Sequence, residues 1–263
     1  METYCLDKSI TTKIIIHINK YKNILKVKFN MFFISPPFGN YIHLPGTKSI
    51  TGSFTLEERP GLFMQIIKTL RYSFKDNGWV NKIGLRNKGI DWALNNVDKS
   101  HILSIAILDP KEIDEFLKKI PNDRDLEINI SCPNAEKKMV SNGLSKFIDS
   151  KRKWCILKLS PVTSNEQIKL YYDQGFRQFH CCNTIPVENG GLSGQSIVPY
   201  TNKKIDYIKQ FPDTTIIAGG GIRSIHDAFS YQSRGAHHFS ASSIFFNPFI
   251  SAKLYLQYIS NKS

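Results

Sequence analysis

The sequence predicts an α/β fold, a (β/α)8 TIM barrel in a single domain, from three observations. The chain has 263 residues, which is typical of one such barrel and sufficient to bury a large core. Short apolar runs recur along it, separated by segments long enough for helices, as a parallel sheet requires. Several runs end in polar or glycine residues, which is expected where barrel strands deliver side chains to a site at their C-terminal rim.

Eight apolar runs are predicted to be the barrel strands. They occupy residues 31–37, 48–55, 101–108, 125–133, 154–160, 176–184, 214–218 and 237–246. The fourth is the clearest, because Leu126, Ile128 and Ile130 alternate with other residues before a cluster of small polar groups. This pattern predicts a buried strand whose C-terminal end carries functional side chains.

Helices are predicted between these strands from capping residues and chain length. The segments are 91–97, 109–120 with Asp109 as N-cap, 138–150, 164–174 with Ser164 as N-cap and Gly175 after its end, 200–210, one beginning near Ser224, and a last one at the C-terminus. Ten residues join the first two strands, so we expect the first outer helix to be truncated.

The remaining segments are interpreted from their composition. Residues 1–30 are lysine-rich with β-branched runs, and we expect an N-terminal extension that forms a small hairpin at the bottom of the barrel. The barrel itself is expected to span residues 31–263. Residues 56–100 form a long excursion that should carry site residues. The glycine-rich stretch 188–194 is predicted to be a loop.

Charge and cysteine content limit the class of protein. The net charge of +13 favours an anionic ligand, but the basic residues are scattered and match no nucleic-acid-binding module, so no nucleic acid is expected. The cysteines are at 5, 132, 155, 181 and 182, without the spacing of a metal site or disulfide framework. We therefore expect a cytoplasmic protein without a metal site, and a homodimer is compatible with this. No apolar run approaches the roughly 20 residues of a membrane span, so no span is expected.

Five motifs, taken together, resemble one family. They are NKIGLRNKGID at 81–91, NISCPN at 129–134, LKLSP at 157–161, CNT with GGLSG at 182–194, and IIAGGGI at 216–222. In this order they resemble the flavin-dependent dihydroorotate dehydrogenases over roughly residues 31–250. The resemblance implies oxidation of dihydroorotate to orotate in de novo pyrimidine biosynthesis, with FMN as the cofactor.

The resemblance places Cys132 at the position of the catalytic base. In such enzymes this residue takes the proton from carbon 5 of dihydroorotate while a hydride leaves carbon 6 for the flavin. A thiol suits the role because its ordinary pKa, about 8.5, lies near working pH. Cysteine here is typical of class 1 enzymes, whereas class 2 enzymes have serine.

The resemblance also implies which side chains bind the substrate. Asn81, Asn129, Asn134 and Asn183 match four asparagines around the pyrimidine ring, and Thr184 stands beside them as a further donor. Amides both donate and accept hydrogen bonds, so they suit a cyclic imide.

Other positions match the family's flavin site. Lys158 corresponds to the lysine that contacts the flavin ring, and a fixed cation there stabilises the reduced anionic form. The further cofactor-binding residues implied are Ser53, Asn129, Gly194, Gly220, Gly221, Ala241 and Ser242. Among these, the residues after the last two strands resemble a phosphate cradle of bare backbone N–H groups.

The sequence departs from the family after its first predicted strand and within its second. Pro36 and Pro37 replace small residues whose N–H groups face the flavin, and proline has no N–H to offer. Gly52 stands where class 1 relatives have a lysine. We expect flavin binding to survive and turnover to be slowed or altered.

Two other functions stay open at this stage. A flavin barrel could act on another dihydropyrimidine or on dihydrouridine in RNA, or the barrel could be a non-catalytic binding protein. The electron acceptor is also open among fumarate, a quinone, oxygen and NAD through a partner protein, although the cysteines show no iron–sulfur pattern.

Overall fold

The computed structural model describes residues 31–130 and 143–262. The predicted N-terminal extension at 1–30 lies outside these residues, as do Cys132 and Asn134. The described part contains twelve strands, β1 to β12 in chain order. They are Phe32–Ile34, Thr47–Phe54, Arg71–Ser73, Gly78–Asn81, Ile102–Ile105, Leu126–Asn129, Cys155–Leu159, Gln178–Cys181, Ile185–Val187, Gly190–Gly194, Thr215–Gly219 and His238–Ala241.

Eight of these strands close into a barrel. Around the ring the order is β1, β2, β5, β6, β7, β8, β11, β12 and back to β1. Every neighbouring pair is parallel. The predicted (β/α)8 barrel is therefore confirmed, and each barrel strand falls within or beside its predicted run. Most are shorter than predicted.

Seven α-helices, α1 to α7, occur in the described residues. They are Leu62–Thr69, Gly89–Asn96, Glu112–Lys119, Asn165–Asp173, Val198–Ile208, Ile225–Arg234 and Pro248–Lys262. Ser164 caps α4 through a complete capping box, as predicted. Ser224, near which a helix was predicted to begin, caps α6 in the same way. Between β1 and β2 there is a single 3-10 turn, Phe38–Asn40, so the truncated first helix is confirmed.

Two helix predictions are wrong in detail. The Asp109 carboxylate accepts the N–H of Lys111 in a turn, and α3 begins only at Glu112, with Lys111 as its N-cap. The Glu112 carboxylate instead accepts the N–H groups of Leu108 and Asp109. In the described part of the predicted helix 138–150, residues Leu144–Phe147 form a 3-10 turn.

The glycine-rich stretch 188–194 was predicted as a loop, and this is wrong. It supplies β10, which pairs with β4 and β9 in a second, four-stranded antiparallel sheet of order β3-β4-β10-β9. The backbones approach too closely here for side chains, since a Cβ on Gly190 would lie 2.0 Å from the carbonyl oxygen of Asn81. Glycine thus allows the pairing that its low strand propensity argues against.

The barrel interior is layered. Near the N-terminal end of the strands it is filled by apolar side chains: Phe33, Ile50, Ile102, Trp154, Ile156 and Ile217. Above that layer the inward positions are polar, among them Ser104, Glu127 and His180, all of which are buried. A larger apolar core lies between strands and helices. This polar layer supports the rim where the predicted strand tips converge.

Within the described ranges, no helix combines the length and the apolar character that crossing a bilayer requires.

Candidate active site

A cavity of about 960 Å³ opens at the C-terminal rim of the barrel. Its volume is at the upper end of the range of roughly 300–1,000 Å³ for ligand sites. Every predicted site residue within the described part of the chain lines it: Ser53, Asn81, Asn129, Lys158, Asn183, Thr184, Gly194, Gly220, Gly221, Ala241 and Ser242. Side chains distant in sequence therefore converge on one space.

A chain of hydrogen bonds links the amides to the second strand. Asn183 Nδ2 donates to Asn129 Oδ1 at 3.1 Å, and Asn129 Nδ2 donates to Ser53 Oγ at 2.9 Å. The N–H of Thr184 in turn donates to Asn183 Oδ1 at 2.9 Å. Each amide is thereby fixed in orientation, which gives the cavity wall a defined set of donors and acceptors.

The second sheet contributes the opposite wall. Asn81, the last residue of β4, pairs with Gly191 of β10, so its position depends on the glycine-rich strand. Trp79 of the same strand stacks on Phe246 with ring centroids 4.2 Å apart, and both line the cavity. One side of the site is thus aromatic, while the strand tips opposite are polar.

A buried carboxylate lies beneath the cavity floor. Glu127 precedes Asn129 by two residues in β6, so both point into the barrel. Its Oε1 lies 3.4 Å from Lys158 Nζ and accepts from Ser104 Oγ at 2.9 Å, while Oε2 is 2.6 Å from His180 Nδ1. Glu127 therefore orients the two nitrogen groups that reach the floor.

The ionisation of this cluster follows from its contacts. Burial alone would raise the pKa of Glu127, but Lys158 and His180, with the hydrogen bond from Ser104, lower it to about 2. Burial lowers the pKa of His180, despite the opposing effect of Glu127. The imidazole is thus neutral at pH 7, and its Nδ1–H donates to the ionised carboxylate, which can only accept. The ionised Glu127 carboxylate is therefore the counterion of Lys158 beneath the cavity.

The turn after β11 presents backbone rather than side chains to the cavity. Gly220 and Gly221 have φ of +94° and +70°. A Cβ on Gly220 would lie 2.5 Å from a methyl carbon of Ile197, and one on Gly221 would lie 2.5 Å from a methyl carbon of Val198. Only glycine fits this conformation and this space. The chemistry of such a bare turn fits an anionic oxygen-rich group such as phosphate.

The departures after β1 and within β2 have local structural reasons. Gly52 has φ of +136°, and a Cβ there would lie 2.3 Å from the carbonyl oxygen of Ser104, so a lysine cannot occupy this backbone. Its N–H donates to Asn40 Oδ1 at 2.8 Å. Pro36, which has no N–H, accepts from Ser242 Oγ at 2.8 Å through its carbonyl. This hydrogen bond links the segment after β1 to the segment after β12.

The sequence interpretation missed the buried cluster of Glu127, Ser104 and His180. A signal was present, because Glu127 is a carboxylate at an inward position of an apolar strand, and His180 has the same setting in β8. Buried ionisable side chains require hydrogen-bond or charge partners, and the pairing of the barrel strands determines which residues these are.

The described part of the chain contains three cysteines. Cys155, Cys181 and Cys182 are free thiols. Burial raises the pKa of Cys155 to about 11 and that of Cys182 to about 11, and it raises that of Cys181 as well. These thiols are protonated at neutral pH and suit packing rather than catalysis.

Comparison with known proteins identifies the family. The dihydroorotate dehydrogenase family model matches residues 39–257. A relative from Petrotoga mobilis, named dihydroorotate dehydrogenase B (NAD+) catalytic subunit, is 29% identical over 86% of this chain and 86% of its own. A Streptococcus agalactiae relative with the provisional name dihydroorotate dehydrogenase A (fumarate) is 30% identical over 71% of this chain and 72% of its own.

Solved structures agree on the fold. The crystal structure of the Eimeria tenella dihydroorotate dehydrogenase in complex with ferulenol has a TM-score of 0.64 to this chain at 15% identity, covering 99% of this chain and 93% of that one. With the family match over most of its length, the chain belongs to the dihydroorotate dehydrogenase family of oxidoreductases, as its motifs predict.

Proposed function

We propose that this protein is an FMN-dependent enzyme that oxidises dihydroorotate to orotate in de novo pyrimidine biosynthesis. One observation carries the proposal: a linked set of amides, a lysine with a buried counterion, and a bare glycine turn all line one cavity. The family match and the relatives support the same reaction. The amides suit a pyrimidine ring, and the turn suits a phosphate.

FMN would be held by groups from both sides of the barrel rim. Its phosphate would bind at the turn of Gly220 and Gly221 with Ala241 and Ser242, while Lys158 and Ser53 would contact the ring system and Gly194 would lie nearby. When bound, FMN supplies the hydride acceptor. Lys158 would place a positive charge where the reduced ring carries negative charge.

Dihydroorotate would bind against the asparagines. Asn129 and Asn183 are already fixed by their mutual hydrogen bond, so little side-chain entropy is lost when the ring binds. Asn81 and Thr184 would contact the ring from the side of the second sheet. Asn134, outside the described residues, completes the proposed set.

Cys132 is the proposed base, on the strength of its motif. The thiolate would take the proton from carbon 5, forming an S–H bond as the C–H bond breaks. Nearby donors lower a thiol pKa, so a thiolate can form near neutral pH.

The electron acceptor and the setting are part of the proposal. Fumarate and a partner protein that passes electrons to NAD+ are the two candidates, and the relatives' names support each. The free described thiols support a cytoplasmic location. A homodimer is the assembly that we propose to test first.

Replacing Cys132 tests the proposal. Cys132→Ala should retain the yellow colour of bound FMN but lose its bleaching by dihydroorotate in anaerobic stopped-flow at pH 7. Cys155→Ala is the matched control, because its thiol is half-buried and protonated. Cys132→Ser should bleach slowly and increasingly with pH, since a hydroxyl needs a higher pH to act as base. Unchanged bleaching in Cys132→Ala would remove the base assignment.

A further inference from the structure

Three side chains hold three consecutive carbonyl groups behind the glycine turn. Thr201 Oγ1 donates to the carbonyl of Gly219 at 2.8 Å. Tyr231 OH donates to that of Gly220 at 2.7 Å, and Gln195 Nε2 donates to that of Gly221 at 2.5 Å. Thr201 lies in α5, Tyr231 in α6 and Gln195 in the 3-10 turn before α5. Three separate elements therefore hydrogen-bond to the same short backbone segment.

These bonds determine where the N–H groups of the turn point. In a planar trans peptide the C=O of one residue and the N–H of the next point in opposite directions. With the three carbonyls drawn outward to the helices, the N–H groups of Gly220, Gly221 and Ile222 are directed away from them. The segment from Gly219 to Ile222 lines the cavity. The donors behind the turn therefore aim three N–H groups at the cavity.

Two of the three donors are buried. Thr201 is 0% exposed and Tyr231 is 2% exposed, so water competes little for the carbonyls. Burial raises the pKa of Tyr231, which keeps its hydroxyl protonated as a donor. Ile197 lies close to the turn, since a Cβ added to Gly220 would lie 2.5 Å from one of its methyl carbons. A turn fixed in this way needs little reorganisation when an anion binds.

We propose that Gln195, Thr201 and Tyr231 are positioning residues that set the affinity of the site for the phosphate of its cofactor. The inference rests on the proposed function, since it assumes that FMN binds in this orientation. It adds that phosphate recognition depends on side chains behind the turn and on the N–H of Ile222.

Removing one hydroxyl should weaken FMN binding selectively. Tyr231→Phe removes the side-chain donor to the Gly220 carbonyl. Thr201→Val leaves the Gly219 carbonyl with the longer bond from the N–H of Cys182, at 3.4 Å, so in either variant the turn is held less firmly. We expect FMN affinity to fall by about 5- to 30-fold, as for the loss of one buried hydrogen bond. Riboflavin, which lacks the phosphate, should bind each variant as it binds the wild type. Flavin fluorescence titration measures both affinities.

Two controls separate positioning from general damage. Thr201→Ser keeps the hydroxyl and should bind FMN like the wild type. Tyr258→Phe removes another buried hydroxyl that donates to a glycine carbonyl, that of Gly46 at 3.0 Å, but Gly46 precedes β2 at the other end of the barrel. It should change neither affinity. The 31P resonance of bound FMN should shift in Tyr231→Phe and Thr201→Val and stay fixed in both controls.

Each outcome has a distinct meaning. A parallel loss of FMN and riboflavin affinity, or unchanged FMN affinity with an unshifted 31P resonance, overturns the inference and leaves the proposed function standing. If Tyr231→Phe does not fold, Thr201→Val against Thr201→Ser decides the question. A wild-type protein that takes up no FMN overturns the proposed function and the inference together.

Discussion

Removing the charge of Glu127 should destabilise the protein strongly. Glu127→Gln keeps the shape but leaves the ammonium of Lys158, which is 6% exposed, without a counterion. Holding the carboxyl pKa at about 2 rather than its ordinary 4.5 corresponds to about 3 kcal/mol, because a tenfold change in proton affinity is worth about 1.4 kcal/mol. Breaking a buried ion pair costs about 3–5 kcal/mol, which agrees.

The pH dependence of this loss has a defined sign. The folded-state pKa of Glu127 is depressed, so its contribution is present above the unfolded pKa of about 4.5 and is lost as pH falls toward 2. The glutamine variant has no such carboxyl. The difference in free energy of unfolding between the two proteins should thus be largest at neutral pH and shrink below pH 4.5.

Urea denaturation of both proteins at a series of pH values measures the effect. Glu115→Gln is the control, since Glu115 and Lys118 form an exposed pair at 2.7 Å and its loss should leave the free energy of unfolding unchanged. Glu127→Gln combined with Lys158→Met should recover much of the stability, because no buried charge is then left unpaired. A Glu127→Gln variant as stable as the wild type at pH 7, or a difference independent of pH, would refute the reasoning.

Two further substitutions test the site and the helical ring. Gly220→Ala should abolish FMN uptake, because a Cβ would lie 2.5 Å from a methyl carbon of Ile197. Gly61 is the control, since it has a similar φ of +91° but no atom within 4 Å of an added Cβ, so Gly61→Ala should bind FMN normally. Equal FMN uptake by both variants would contradict the proposed phosphate site at the glycine turn. Ser224→Ala removes the capping box of α6 and should lower the free energy of unfolding by about 1 kcal/mol in urea denaturation, while Ser233→Ala, exposed on the same helix, should change it little; equal effects would argue against the cap.

The barrel was predictable from the sequence because its signals are local and repeated. Apolar runs of strand length, each followed by a helix with its own cap, specify the parallel ring before any contact is known. Ser164 was predictable as a cap, and the start of a helix near Ser224 was predictable, for the same reason. Aspartate is also a common N-cap, but Asp109 does not cap α3. The Glu112 carboxylate accepts the N–H groups of Leu108 and Asp109, and the helix begins only at Glu112.

The second sheet and the buried cluster could not be predicted in this way. β10 consists largely of glycine, whose strand role depends on the close approach of β4 rather than on its own propensity. The contacts of Glu127 depend on the register that places it beside Ser104 and below Lys158. The motif resemblance found the residues that line the cavity, and the residues that hold them in place emerged only from the coordinates.

The most direct test of the central claim is the visible spectrum of the purified protein, mixed anaerobically with dihydroorotate. The account predicts the absorption of bound FMN before mixing and its bleaching afterwards, with one orotate formed for each FMN reduced. A colourless protein that takes up no added FMN would contradict it. So would a yellow protein that dihydroorotate leaves unbleached while another dihydropyrimidine or a dihydrouridine-containing RNA reduces it.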